Sequence, residues 1–314
     1  MFQQNVHWAY FARLRDEDPV HLNENSEYDR VWSVTRFEDI MYVDKHHELF
    51  SSEAGITLGL PNSKAHQRDA FVTSNFIAMD PPKHDVQRAT VSPAVAPSNL
   101  ATLESTIRER AGAILDALPI GEEFDWVEAV SVELTTQMLA TLFDFPFQDR
   151  SKLTRWSDVA TAGPGNGISF EQRRTELLEC LEYFTGLWNE RVNEAPKGDL
   201  ISMLAHGKDT RNMAPMEFLG NLILLIVGGN DTTRNSISGG VLALNENPAE
   251  YQKLRDNPGL IPTMVPEIIR WQTPLAYMRR TASVDTTLNG KHIKAGDKLL
   301  MWYVSGNRDE RIID

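Results

Sequence analysis

Hydrophobic positions along this chain follow two different periods. Near the N-terminus they come in short bursts. Pro19-Val20-His21-Leu22 and Val31-Trp32-Ser33-Val34-Thr35 predict two strands joined by a polar turn over Asn23 to Asp29. A short helix is predicted before them, over Trp8 to Arg15. Another is predicted from Arg36, where Phe37, Ile40, Met41 and Val43 recur on one side. Ala54 to Asn75 is rich in Gly, Pro, Ser and Asn and reads as a long irregular segment, of a kind that in compact domains often carries function. From about Pro81 the helical period takes over. Leu177, Leu181, Phe184 and Trp188 hold one face over several turns, and a long helix is predicted from about Met216 to Asn245. Shorter helices are predicted over Glu250 to Arg255 and Ile261 to Trp271. After Pro274 alternation returns: Asn289-Gly290 between Thr287-Leu288 and His292-Ile293 is a hairpin turn sequence, and Lys298 to Val304 reads as a strand. The fold class is mainly α, a single domain over 1–314 with a helical body and a minor β-sheet built from strands at both ends of the sequence.

Composition narrows the function classes. Of 314 residues 41% are apolar and 24% charged, which suits a globular chain with a sizeable core. The formal net charge of −13 and the lack of a basic stripe argue against nucleic acid as a partner. The one cysteine, Cys180, rules out a disulfide framework within the chain. The longest apolar run near the middle, Leu222 to Val227, is far short of a membrane span, and the N-terminus has no signal-peptide apolar core. The expectation is a cytoplasmic protein without a membrane anchor.

One stretch of the long helix breaks the rules of helix building. Six apolar residues, Leu222 to Val227, imply a helix buried nearly all round. Gly228 and Gly229 follow, each costing about 1 kcal/mol relative to alanine in a helix interior. Asn230, Asp231, Thr232 and Thr233, all mediocre helix formers, come next. A costly local violation inside a core helix is where a functional site is expected. The glycines would let a flat ligand approach the backbone closely. Thr232, four residues after Gly228, can bond its carbonyl and leave a hydroxyl and a carboxylate beside a cavity. A helix crossing made of small residues with a solvated Asp231 would produce the same string.

Gly228-Gly229-Asn230-Asp231-Thr232-Thr233 resembles the oxygen-binding groove of the central helix of cytochromes P-450. The resemblance implies catalytic roles for Thr232, hydrogen-bonding dioxygen, and for Asp231, relaying protons from solvent, with Gly228 and Gly229 against the cofactor. Three further motifs follow the family's order. Glu267-Ile268-Ile269-Arg270 resembles its Glu-x-x-Arg core pair, expected to be desolvated; the family's third partner lies further on. Asp80-Pro81-Pro82-Lys83-His84-Asp85-Val86-Gln87-Arg88 resembles the bacterial helix that grips haem propionates through His84 and Arg88. In Tyr277-Met278-Arg279-Arg280-Thr281-Ala282, Arg280 matches the family's other propionate-binding arginine, and Arg279 would face away. Taken alone, these read as a surface ion pair, a solvated His–Arg pair and two exposed edge-strand arginines.

The resemblance covers essentially the whole chain and implies a monooxygenase with haem b iron and O2 as cofactors. The family's axial cysteine sits in a Gly- and Phe-rich loop expected beyond Asp314, so no metal ligand is assigned in this chain. Cys180 reads as a small packed residue inside an amphipathic helix. The sequence is accordingly expected to be a partial gene product, inactive by itself. Residues 228–236 and 267–282 are most similar to the bacterial soluble alkane and fatty-acid terminal hydroxylases. That group implies a small apolar substrate lined by Leu224, Val227, Leu275 and Ala276, and electrons from NADH through a ferredoxin reductase and a ferredoxin. A terpene or steroid hydroxylase of the same superfamily is the alternative, and a catalytically silent helical binding protein the alternative of a different class.

Overall fold

The computed structural model describes Gln4 and residues 6–26, 28–58, 73–162 and 167–313. In chain order the elements are α1 (His7–Glu17), β1 (Val20–Ser26), β2 (Asp29–Val34), α2 (Phe37–Lys45), β3 (Phe50–Ser51), α3 (Lys83–Val91), α4 (Pro97–Asp116), a π-helical turn (Val127–Val132), α5 (Glu133–Phe143), α6 (Ser151–Thr161) and α7 (Phe170–Arg191). They continue with α8 (Leu200–His206), α9 (Pro215–Glu246), α10 (Pro248–Asp256), α11 (Ile261–Gln272), β4 (Met278–Ala282), β5 (Thr286–Leu288), β6 (Lys291–Ile293), β7 (Lys298–Met301) and α12 (Tyr303–Gly306). These elements group into two compact units, one drawn from Met1–Ala70, Ile77–Pro81 and Gly259–Asp314, the other from Phe71–Phe76 and Pro82–Pro258. Among the described residues no helix is long and apolar enough to cross a membrane.

The first unit is built on a five-stranded sheet ordered β1-β2-β7-β4-β3. Only β2 and β7 run parallel, Val31 opposite Lys298, which is what strands drawn from opposite ends of a sequence permit. Alternation puts Val20, Trp32, Val34, Leu299 and Met301 on buried positions with Ile40 and Val43 of α2. The predicted hairpin is present as β5 and β6, and Asn289 and Gly290 both take positive φ, as its turn demands. Two boundaries differ from the sequence reading. The polar residues after Leu22 do not end β1, because it is an edge strand on which Asn23 and Glu24 stand exposed to water. The last strand stops at Met301, where the chain turns into α12 and the Trp302 amide donates to the Val34 carbonyl. Of the irregular segment Ala54 to Asn75, residues 59–72 lie outside the described residues; 55–58 and 73–75 carry no helix or strand.

The second unit is helical. Its core gathers Leu139 and Phe143 of α5, Leu153 and Trp156 of α6, Leu177, Cys180 and Phe184 of α7, and Leu219, Leu222 and Ile226 of α9. Cys180 is thus the packed small residue expected. Burial in this core pushes its thiol far above the ordinary range. The apolar run of α9 departs from the expectation of a helix enclosed on every side. Leu222 and Ile226, one turn apart, are fully buried, while Ile223, Leu224, Leu225 and Val227 are partly exposed.

Candidate active site

The turn of α9 from Gly228 to Thr233 distributes its residues around the helix, each with a different neighbour. A Cβ placed on Gly228 would meet nothing within 4 Å among the described residues, so the backbone here is open. A Cβ on Gly229 would lie 2.7 Å from Cδ2 of the buried Leu139 on α5. The two glycines are therefore not equivalent: Gly229 serves the helix crossing, and Gly228 offers bare backbone. Asn230 is fully buried and accepts a hydrogen bond from Thr135 Oγ1 at 2.8 Å, a second fastening to α5. Thr232 Oγ1 donates to the Gly228 carbonyl at 2.9 Å, the bond its spacing allowed.

Asp231 turns toward α6 and is not simply solvated. Its Oδ1 accepts from Ser157 Oγ at 3.1 Å and pairs with Arg234 Nη2 at 2.9 Å. Desolvation is the dominant influence and holds its carboxyl above the ordinary carboxylate range, against the opposing pull of Arg234 and Ser157. A carboxyl raised by burial beside an open stretch of helix suits proton delivery.

His84 and Arg88 sit one turn apart on α3, which begins after Pro82. His84 Nδ1 lies 2.7 Å from Asp85 Oδ1. Arg88 is exposed, and its guanidinium pairs with no described residue, leaving a cation free for an anion. Four residues given no role in the sequence reading hold α3 against α9. Asn221, fully buried, accepts from the Phe76 amide at 2.9 Å and donates to Gln87 Oε1 at 3.1 Å. Gln87 and Lys83 both reach Glu217 Oε1, at 2.6 and 2.9 Å.

In the first unit β4 lies between β7 and β3, so Arg279 and Arg280 are not edge-strand residues. They point to opposite sides, as expected. Arg280 donates to Asp44 Oδ1 on α2 at 2.9 Å, and Tyr303 Oη donates to the other oxygen of Asp44 at 3.0 Å. Arg279 is buried and held by the Ala54 and Gly55 carbonyls. Glu267 and Arg270 form a two-pronged pair at 2.6 and 2.7 Å, and Arg270 also donates to the Asn307 carbonyl. The expectation of a desolvated pair is not met, because 57% of the Glu267 side chain is exposed. Leu275 is exposed at 41% and Ala276 partly buried; Leu224 and Val227 are partly buried on α9.

No protein-family model matches the chain. It is 45% identical to cytochrome P450-153 from Novosphingobium aromaticivorans, with a TM-score of 0.90 over 98% of this chain and 78% of that one. CYP153D17 from Sphingomonas sp. PAMC 26605 is similar at 48% identity and a TM-score of 0.91, covering 98% and 77%. Among curated proteins it is 36% identical to linalool 8-monooxygenase of Pseudomonas putida, over 99% of this chain and 79% of the relative. It is 32% identical to the methyl-branched lipid omega-hydroxylase of Mycobacterium tuberculosis, over 96% and 72%. The chain belongs to the cytochrome P450 family, and its mainly helical fold with a minor sheet is the fold of that family.

The family uses haem iron and O2 for monooxygenation. The residues present suit two aspects of that group. Bare backbone at Gly228 can take a flat ring system, and the free Arg88 guanidinium can take a carboxylate. Cys180 does not suit the axial position, since it is buried among the aromatic and aliphatic side chains of α7 and its neighbours.

Proposed function

We propose that this cytochrome P450 monooxygenase hydroxylates the terminal carbon of medium-chain alkanes or fatty acids. The carrying observation is the uncharged surface of α9 ahead of Thr232, where Leu224, Val227 and open Gly228 offer contact but no polar anchor. Such a surface gains about 0.8 kcal/mol per buried methylene, which favours a linear alkyl chain. The omega-hydroxylase relative supports attack at a chain end.

Haem, when bound, would supply the activation of O2 for insertion of one oxygen into a C–H bond. The chain's own residues orient and supply protons. Arg88, His84 and Arg280 would hold the propionate carboxylates, Arg280 exchanging Asp44 for one of them. Gly228 and Gly229 would admit the ring to α9. Thr232 would present its hydroxyl to dioxygen, and Asp231 would refill it with protons. Electrons would come from NADH through a ferredoxin reductase and a ferredoxin, in the cytoplasm.

The test joins this chain to the part of the Sphingomonas relative that lies beyond the matched region and supplies redox partners, NADH, octane and dodecanoic acid. Terminal alcohols identified by gas chromatography are the expected products; mainly subterminal alcohols would refute the assignment. In the same chimera Thr232→Ala should keep consuming NADH but divert it to hydrogen peroxide. A second reading, a terpene hydroxylase, draws on the linalool relative. Turnover confined to terpenes would select it.

A further inference from the structure

Asp231 shares its counter-ion. Arg234 Nη2 lies 2.9 Å from Asp231 Oδ1 and 2.8 Å from Asp158 Oδ1, so a single nitrogen serves two carboxylates. The three side chains come from two elements. Asp231 and Arg234 are one turn apart on α9, and Asp158 is on α6, next to Ser157, which bonds Asp231 directly. Exposure grades along the set: Asp158 is half exposed, whereas Asp231 and Arg234 are about a fifth exposed. Arg234 and Asp158 are the charged groups that act most strongly on Asp231. The α6 face adds the hydroxyls of Ser157 and Thr161, and α5 and the π-helical turn meet α9 through Thr135 and Ser131, both uncharged.

We infer that Asp158 is a positioning residue for the acid Asp231, acting by competing with it for the one guanidinium of Arg234. The inference rests on the reading of Asp231 as the acid of the α9 groove. Two carboxylates and one guanidinium carry one surplus negative charge. When Asp231 takes a proton from water, Arg234 is not left stranded, because Asp158 still holds it. When Asp231 gives the proton up, it regains a share of the same nitrogen. The competition keeps the carboxylate form of Asp231 from becoming too well satisfied, which an acid that must reload and discharge requires. The Asp158 charge and burial both push the Asp231 carboxyl upward, and Arg234 pulls it down.

The signs are therefore fixed in advance. Asp158→Asn gives Arg234 wholly to Asp231, and the Asp231 carboxyl should titrate at lower pH than in the unaltered chain. Asp158→Glu keeps the competitor and should restore the original midpoint. Arg234→Gln should move the midpoint the other way, to higher pH. The measurement is carbon NMR titration of aspartate-labelled chain, with the Asp231 signal assigned through Asp231→Asn. Asp158 is half exposed, so its replacements keep the fold, and thermal melting checks that they do. A midpoint for Asp231 that stays put in Asp158→Asn, or falls equally in Asp158→Glu, overturns the inference. The titration is read without cofactor, so a chimera that fails to take up haem would sink the proposed function and leave this coupling standing. In the chimera, Asp158→Asn should move to lower pH the limb on which the hydroxylation rate falls as Asp231 loses its proton, with the glutamate variant rescuing it.

Discussion

Neighbouring glycines in α9 should respond oppositely to the same methyl group. Gly228→Ala adds a Cβ where nothing lies within 4 Å. The helix gains about 0.8–1 kcal/mol of propensity and loses no packing, so the chain should become more stable by up to that amount. The Thr232 bond to the Gly228 carbonyl is untouched, because a Cβ does not occupy it. Gly229→Ala earns the same propensity but forces Cδ2 of Leu139 away from a 2.7 Å approach. Leu139 is 2% exposed and embedded in the helical core, so it has little room to give. Overpacking of this kind costs about 1–3 kcal/mol, which leaves Gly229→Ala between neutral and about 2 kcal/mol destabilised. Urea denaturation of the two variants and the parent chain, with slopes checked for constancy, reads the difference directly. Haem uptake by absorbance titration of the chimera should fall in Gly228→Ala, since the stabilising methyl stands on the bare backbone proposed to meet the ring. Equal stabilisation by both alanines would refute the assignment of Gly229 to the helix crossing. Destabilisation by Gly228→Ala would refute the openness on which its role depends.

Three further outcomes follow from the geometry. Reconstitution of this chain with haem and reduction under CO should not yield the Soret band of thiolate ligation, because its one thiol, Cys180, is buried in α7; that band in the unaltered chain and its loss in Cys180→Ala would contradict the burial. Asn221→Ala should cost about 2–4 kcal/mol, as it strips partners from the Phe76 amide and from Gln87; denaturation and faster hydrogen exchange at Phe76 check this, and an unchanged midpoint would show the network to be dispensable. Glu267→Gln should cost this chain only about 0–1 kcal/mol, the range of exposed pairs. Arg270 holds the Glu267 carboxyl below the ordinary range, so the small stabilisation is present above that range and fades as pH falls through it; melting the variant beside the parent across acid pH should show the two curves converging.

The parts of this fold that were legible in the sequence are those written locally. The hairpin at Asn289-Gly290, the periodic helices and the ion pair three residues apart all depend on spacing along one element. So does the Thr232 bond to the Gly228 carbonyl, and the costly run from Gly228 to Thr233 marked a candidate site because helix propensity does not explain it. What stayed hidden is written across elements. Gln87 meets Asn221 over a separation of 134 residues, and Arg234 meets Asp158 over 76. Neither contact has a periodic signature. Nor could spacing separate Gly228 from Gly229, since which of two adjacent residues faces a neighbouring helix is decided by where that helix packs.

Arg279 and the start of the irregular segment illustrate the same limit from the other side. In the sequence they were separate features, a glycine-bearing stretch after β3 and half of an arginine pair 224 residues later. In the structure they are one device. Arg279 is buried and pairs with no carboxylate among the described residues, which would be costly for a bare guanidinium. Its charge is met instead by the Gly55 carbonyl at 3.0 Å and by the Ala54 carbonyl, while its own amide donates to Ile56 at 2.7 Å. Gly55 has a φ of +102°, and a Cβ there would stand 2.8 Å from Arg279 Nη2. Only glycine meets both demands without strain. The arginine needs the carbonyls because it is buried, and the carbonyls need the glycine to turn toward it. The beginning of a segment that reads as loop is therefore fixed by a strand residue, and the arginine that faces away from the proposed cofactor contact has a structural task of its own. Arg280, its neighbour, keeps a carboxylate partner and partial exposure, the state from which exchange of one carboxylate for another is least costly.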